Sequence, residues 1–478
     1  MSATPPLPPD AAALLPEDIS FARSVLHALK GEQHDYTTAP LNRAVILLAV
    51  PMVLEMLMES CFALSDVFWV SHLGKEAIAA VGLTESVMTL IYAVAIGLSI
   101  ATGAIVARRI GEKNRPGAEE AAGQVLLMGL TIAVTLGLIL GSLSPHILGW
   151  VGADPQTIAI GSGFTRIMLG CNVTVFLIFL INSIFRGAGD PIYAMRTLWL
   201  ANALNIILGP CFIFGLGPFP RLGVTGAAVA TNIGRGVGVL YQLWHLSGRH
   251  SRINVHLRNL RPDFPVIRTI IRPAWNGIAQ LLISTTSWLG LFKIIALFGS
   301  SAVAGYTIAI RLLISALLPS WGLANAGATL VGQNLGAKQP ERAVAAVKIA
   351  VRFNVWFLGT IGAIFLCFAP FIVGLFTRDS DVHHYGTVAL RIISLAFPLY
   401  ACGMCLEAAF NGAGDTWTPT RLNFFCFWVC QIPLSWVLST PLGLGPLGLF
   451  IAVPFSYAIF AGLAFMFFKR GKWKLKKV

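Results

Sequence analysis

Three carboxylates, Glu55, Glu59 and Asp66, sit inside one apolar stretch, PMVLEMLMESCFALSDVFWV at 51–70. Spacings of 4 and 11 residues place them within roughly 40° of one another on a helical wheel. Along the axis they spread over about 16 Å at the helical rise per residue. On a helix otherwise made of Leu, Met, Val and Phe, such a stripe must face a protein interior. Burial favours the neutral form of a carboxylic acid, which suits these groups to pick up and release protons. A charge inside a membrane span marks a functional site by default. Glu55 has a simpler alternative, pairing with a base such as Arg43 near the same end of the helix.

Other polar groups in apolar surroundings are fewer. Lys293 lies in the seventh apolar segment with no acid nearby in sequence. It either lines a cavity, pairs with Asp66 across the molecule, or snorkels to the membrane surface. Glu407, in the tenth, suits either a substrate cavity or pairing with Arg421 or Arg186. Glu85, Arg311 and Arg391 carry no distinct signal. Pro51 and Pro273, near the start of two long segments, lack an N–H and can bend their helices. Trp275, Trp288 and Trp321 can stack on cations, although membrane Trp residues mostly sit at the headgroup belt.

The elements that must hold these residues are transmembrane helices. The chain is 56% AVILMFWYC and only 12% charged, with mean hydropathy +0.75, too few charges to cover a water-soluble protein of this length. Apolar segments recur at 43–71, 78–108, 121–144, 163–186, 192–216, 222–246, 265–298, 302–334, 343–369, 386–412, 418–439 and 446–468. Each is long enough to cross a bilayer. The net charge of +13 does not imply nucleic acid, because the bases are segregated. Six lie in the tail (Lys469, Arg470, Lys472, Lys474, Lys476, Lys477) and six between spans six and seven (Arg249, Arg252, Arg258, Arg261, Arg268, Arg272). Four follow span two (Arg108, Arg109, Lys113, Arg115), whereas alternate loops hold Lys75, Arg221 and Arg378, one each, or none. The positive-inside rule places both termini and the central linker in the cytoplasm of a multi-pass cell-membrane protein. Residues 1–42 lack the apolar core of a signal peptide and read as a cytoplasmic arm, with a surface helix from Glu17 to Lys30 stopped by Gly31.

An internal repeat is plain. Gly74 and Gly299, Gly111 and Gly336, and FRGAGD (185–190) and FNGAGD (410–415) are all 225 residues apart. Pro51 and Pro273, and LGVTG at Leu222 and LGPLG at Leu444, are 222 apart. The unit is six spans. The expected fold is therefore all-α, with twelve transmembrane helices in two parallel six-helix lobes, related by a pseudo-two-fold axis along the membrane normal. The boundaries are an arm at 1–42, lobes at 43–246 and 265–468, a basic linker at 247–264 and a basic tail at 469–478. The two GAGD segments read as tight turns in which Gly takes positive φ. All eight cysteines fall in apolar stretches and read as buried free thiols. Cys402 and Cys405 form a CxxC with no second pair, so neither metal nor cofactor is expected.

With these features together, the sequence resembles the multidrug and toxic compound extrusion (MATE) family. The residues carrying the likeness are Pro51–Gly74, LNIILGPCFIFG at 204–215, GAAVAT at 226–231, VGQNLGAK at 331–338 and the two GAGD turns. The resemblance spans residues 43 to 468 and implies two six-helix lobes around an outward-facing V-shaped cavity. It also implies export of cationic or amphipathic compounds by alternating access, driven by inward H⁺ or Na⁺. It assigns Asp66, Asn205 and Thr231 to an ion-coupling site, with Glu59 beside them. The chain departs from the pattern at Gly209, where similar proteins have Asp. Sodium needs several oxygen ligands, so this loss favours H⁺ unless Glu59 substitutes. Span seven has Ser284, Thr285 and Thr286 where other branches carry an acid.

The resulting expectation is a monomeric H⁺-coupled exporter embedded in lipid, acting on a small-molecule substrate. Alternatives of the same fold are a flippase for lipid-linked substrates and a dedicated organic-acid or metabolite exporter. An intramembrane enzyme would need Asp-rich diphosphate motifs or His/Asp clusters at helix ends, and the sequence has neither. A channel fits poorly with a six-span duplication, and the chain has no ATP-binding loop.

Overall fold

The computed structural model describes residues 21–31, 34–248 and 251–476, and among these it contains helices and no strands. The helices are α1 (Phe21–Lys30), α2 (Leu41–Ser71), α3 (Lys75–Gly111), α4 (Arg115–Ser142), α5 (Ser144–Trp150), α6 (Pro155–Gly170), α7 (Val173–Ala188), α8 (Pro191–Phe214) and α9 (Val224–Ser247). There follow α10 (Phe264–Ile295), α11 (Ser300–Gly336), α12 (Pro340–Gly374), α13 (Ser380–Ser394), α14 (Phe397–Gly412), α15 (Trp417–Asn423), α16 (Ile432–Ser439) and α17 (Pro446–Arg470). A π-helical turn at 424–431 joins α15 to α16. Starts and stops follow the sequence. Proline opens α6, α8, α12 and α17, where a missing N–H costs nothing. Asn114 and Asp154 accept hydrogen bonds from Gly117 (3.0 Å) and Thr157 (2.7 Å) at the starts of α4 and α6. The N-terminal helix ends at Gly31, φ 76°; Glu17, its expected start, lies outside the described residues.

Among the described residues, ten helices, or eleven if the bent α13–α14 pair counts as one, are long and apolar enough to cross a membrane. The helix missing from that set is α9, which carries Asn232, Arg235 and Gln242 among small residues. With α9, the structure has twelve transmembrane helices in two lobes. The fourth span is broken between α6 and α7 at 171–172. Its counterpart in the second lobe bends by 54° between α13 and α14, around Leu395 and Ala396. The break recurs at the repeat spacing.

The first helix of each lobe is shared between lobes. The opening part of α2 (Ala44, Val45, Leu47, Leu48, Met52) packs with Leu323, Ala326 and Leu330 of α11 and Ala346 of α12. Its far end, at Val70, packs inside its own lobe. Helix α10 does the converse: Ile270 and Ala274 join the first lobe's core, while Leu291, Ile294 and Ile295 join the second's. The crossing points are glycines that let backbones touch. A Cβ on Gly97 would lie 2.5 Å from the backbone nitrogen of Ile278, and one on Gly322 would lie 2.5 Å from the carbonyl oxygen of Met52. These two contacts are images of each other at a spacing of 225. In that register Pro273 stands three residues before the counterpart of Pro51, so the two prolines are not strict equivalents.

Both GAGD turns have the expected left-handed glycine, Gly189 at φ 88° and Gly414 at φ 81°. A Cβ on Gly189 would also meet Tyr36 at 2.8 Å. Gly189→Ala is therefore expected to cost roughly 1–2 kcal/mol from the backbone alone, read as a lower melting temperature in detergent. Each turn's aspartate is tied to the segment that follows its lobe: Asp190 to Arg252 (3.2 Å) and Asp415 to Lys476 (3.2 Å). Burial pushes the Asp190 carboxyl up, and the Arg252 guanidinium opposes that shift. All eight cysteines are free, but only Cys405 and Cys426 are buried; Cys61, Cys171 and Cys367 lie on the bundle surface. A helix buried in lipid has no need to turn its thiols inward, which is why apolar context did not imply protein burial.

Candidate functional site

The acidic stripe of α2 does face a lobe interior, but its three members have different company. Glu55 is fully buried and accepts from Arg186 Nη1 of α7 at 3.1 Å and from Asn182 Nδ2 at 3.2 Å. Gln242 of α9 donates in turn to Asn182 Oδ1 at 2.6 Å. The base is therefore Arg186, not Arg43. Twelve residues separate Arg43 from Glu55, about 18 Å along a helix, beyond the reach of the side chains. The repeat makes the pair informative. At the corresponding positions of the second lobe, Gln280 and Asn411 exchange two amide hydrogen bonds of 3.2 and 3.1 Å. One geometry is charged in one lobe and neutral in the other.

Four residues on, Glu59 accepts from Asn202 Nδ2 of α8 at 3.1 Å. Asp66 is partly buried, and among the described residues it has no hydrogen bond or ion pair. Glu85 of α3 and Arg235 of α9 act on it electrostatically. Arg235 acts on Glu59 as well. It donates to Tyr92 Oη at 3.0 Å, with its guanidinium about 6 Å from the rings of Phe62 and Tyr92. Asn205 donates to Thr231 Oγ1 at 2.6 Å, both buried. The structure thus brings α2, α3, α8 and α9 together around two carboxylates and one arginine, with the Asn205–Thr231 pair bonded to itself rather than to Asp66. A Cβ on Gly209 would meet only the edge of Trp69, at ordinary contact distance.

Arg235 was missed by the sequence reading, although the signal was available: an arginine in the middle of a segment otherwise assigned as a span. Among small and polar neighbours such as Asn232 and Gln242, α9 is a weaker apolar segment than the other spans, and its arginine stands out less.

The remaining candidates lie apart from this cluster. Lys293 is exposed on α10 and has no ion pair among the described residues. Glu407 accepts from Asn423 at 2.9 Å and pairs with neither arginine expected for it. Arg186 is taken by Glu55, and Arg421 stacks on Trp417 at 4.7 Å. Among the described residues, no group of His, Cys, Asp and Glu is arranged to hold a metal ion.

The lobes touch along the half of the bundle that carries the termini. Beyond the Gly97 and Gly322 crossings, Gln333 of α11 donates to the Gly187 carbonyl at 3.0 Å and Thr329 to the Arg186 carbonyl at 3.3 Å. At the opposite end Glu85 and Ser86 of α3 and Arg311 and Ser315 of α11 are exposed, although these same two helices meet at the terminus-bearing end. The contacts that join the lobes are thus gathered at the terminus-bearing end, while α3 and α11 expose polar groups at the other.

Comparison with known proteins points the same way. The MatE family profile matches residues 51–211 and 277–437, one match per lobe. The chain is 25% identical over 455 residues to a probable multidrug resistance protein NorM of Thermotoga maritima, covering 92% of this chain and 94% of that one. It is 25% identical over 433 residues to an FAD transporter of Shewanella oneidensis, covering 89% and 94%. It superposes with TM-score 0.85 and 27% identity on a transporter of Pyrococcus furiosus, over 93% of this chain and 98% of that one. That transporter is described as having a binding pocket of reversed polarity that suggests a different function.

Proposed function

Because the chain belongs to the MatE family, whose members are multi-pass membrane transporters and not enzymes, we propose that it exports small molecules by alternating access in exchange for inward H⁺. The observation that carries the reading is the cluster of Asp66, Glu59 and Arg235 inside the first lobe. A carboxylate with no bonded partner can be neutralised by a proton without help from further ligands. Sodium would need several oxygens and would have to settle beside the fixed positive charge of Arg235. The second lobe has Leu291, Ser284 and Tyr457 at the corresponding positions, so coupling is assigned to the first lobe alone. The basic linker and tail favour a cytoplasmic side for the end at which the lobes are joined, and on that reading the present conformation is outward-open. The expected substrates are cationic or amphipathic compounds, which fits the multidrug export named for several relatives.

A second reading is favoured by Arg235 and by the FAD-transporting relative: export of an anionic metabolite, recognised by the same arginine. Efflux from proteoliposomes separates the two, with a pH gradient or a Na⁺ gradient imposed alone on the native protein and Asp66→Asn. The expected result is efflux of a fluorescent cation driven by the pH gradient, untouched by Na⁺ and reduced in the variant to the leak of protein-free vesicles. Full export driven by Na⁺ alone would sink H⁺ coupling. Movement of a flavin nucleotide but not the cation would transfer the assignment to the second reading.

A further inference from the structure

At the terminus-bearing end of the second lobe, a cavity of about 280 Å³ lies between the start of α15 and the end of α17. Its walls carry four cations, Arg421, Arg470, Lys472 and Lys476, and one acid, Asp415. That acid is already committed: it pairs with Lys476 at 3.2 Å and accepts from Thr418 Oγ1 at 2.7 Å. Arg421 and Arg470 lie over aromatic rings, Trp417 at 4.7 Å and Phe467 at 5.2 Å. Among the described residues, neither of them nor Lys472 has a carboxylate partner. The floor is fixed. Gly471, φ 72°, turns the chain back so that Trp473 is buried, stacked on Phe468 at 4.9 Å and donating to its carbonyl at 3.0 Å.

The repeat supplies the control. In the first lobe the same turn is roofed by the chain itself: α1, Gly31 and Tyr36 close over Gly189, Asp190 and Ile192, leaving about 10 Å³. Ile192 is 3% exposed, whereas Trp417, its counterpart, is 46% exposed. The second lobe has no described segment to cover this place, and the place is cationic. Exposed Phe465 and Met466 continue the surface down α17 into the hydrocarbon zone.

The geometry points to a binding site for the phosphate headgroup of an anionic phospholipid. The phosphate would be held by Arg421, Arg470 and Lys472 over the aromatic floor, with its acyl chains along α17. Basic pockets at helix ends recognise headgroups in this way, and a planar guanidinium matches phosphate oxygens in a bidentate manner. A free phosphate shares the chemistry of the head but has nothing to place against Phe465 and Met466. The leaflet concerned is the inner one, which rests on the orientation proposed above; the test below reads binding in either leaflet, so its failure is separate from a failure of that orientation.

The test uses the full-length protein, delipidated in detergent, with binding followed by native mass spectrometry and by melting temperature. Phosphatidylglycerol, phosphatidylcholine and inorganic phosphate are added separately, to the native chain and to Arg421→Gln/Arg470→Gln/Lys472→Gln. Phosphatidylglycerol is expected to bind the native protein and raise its melting temperature, with the other two giving neither effect. The triple variant is expected to bind it about a hundredfold more weakly, each charge contributing roughly fivefold. In parallel, a photoreactive phosphatidylglycerol on the unmutated protein is expected to label peptides within 415–421 and 465–476, which keeps the test valid if the variant does not fold. Equal binding by the triple variant, or labelling confined to other segments, overturns the site. An equal response to inorganic phosphate overturns the lipid assignment in favour of a soluble anion.

Discussion

Glu55→Ala is expected to destabilise the protein by roughly 3–5 kcal/mol, because it removes the carboxylate paired with the Arg186 guanidinium in the lobe interior. Attraction within a buried ion pair does little more than offset the cost of taking both ions out of water, so the damage comes from breaking the pair rather than from losing its strength. The molecule contains its own control. The second lobe holds Gln280 and Asn411 in the same register with two amide hydrogen bonds. Transplanting that solution as Glu55→Gln/Arg186→Asn should recover most of the loss in melting temperature. The double variant then separates two roles. If it is stable and still transports, the charged pair is structural. If it is stable and inactive, the charge itself takes part in the cycle, and Glu55 joins Asp66 and Glu59 among the groups proposed to handle protons.

Gly97→Leu is expected to abolish transport while leaving the lobes folded. A Cβ at Gly97 would meet the backbone nitrogen and Cα of Ile278 as well as its side chain, and the backbone cannot step aside. The helices must therefore part at this crossing. Overpacking of this kind costs about 1–3 kcal/mol, and each 1.4 kcal/mol or so changes an equilibrium tenfold. The closed form of the terminus-bearing end should then lose about tenfold or more of its population. Each lobe also has core that does not involve the crossing, around Phe176, Leu180 and Ile184 in the first and Phe410, Phe427 and Phe460 in the second, so each lobe should stay folded. Gly322→Leu, at the symmetric crossing against Met52, should do the same. Spin-label distances between the loop after α3 and the loop after α11 would lengthen in both variants. Unchanged distances with normal transport would show that the crossings tolerate bulk and do not set the closed state.

What could be read from the sequence was whatever depends on composition and spacing. Twelve apolar segments, the 225-residue repeat and the turns at Gly189 and Gly414 all follow from hydropathy and from the backbone freedom of glycine. The acidic stripe was legible because helical periodicity alone puts Glu55, Glu59 and Asp66 on one face. Their partners were not, because the bonds that matter join residues 127 to 143 positions apart. Periodicity says that a face is covered and is silent on what covers it. The same limit hid the sharing of α2 and α10 between lobes, since an apolar face carries no label for its owner. It also made Pro51 and Pro273 look equivalent. Only the crossing contacts fixed the register and showed them one turn out of step.

That sharing has a consequence for how the chain is made. The opening turns of α2 leave the ribosome early, but Leu323, Ala326 and Leu330, against which they pack, are synthesised some 275 residues later. At about 5–20 residues per second, the first helix waits roughly 15 to 60 seconds in the bilayer with one flank facing lipid or an insertase. Helix α10 has no such delay, since its early partners in the first lobe already exist when it emerges. The duplicated halves are thus alike in shape and unlike in history. A nascent chain arrested before α11 would hold a first half whose leading helix is undocked, and quality-control proteases could recognise it there.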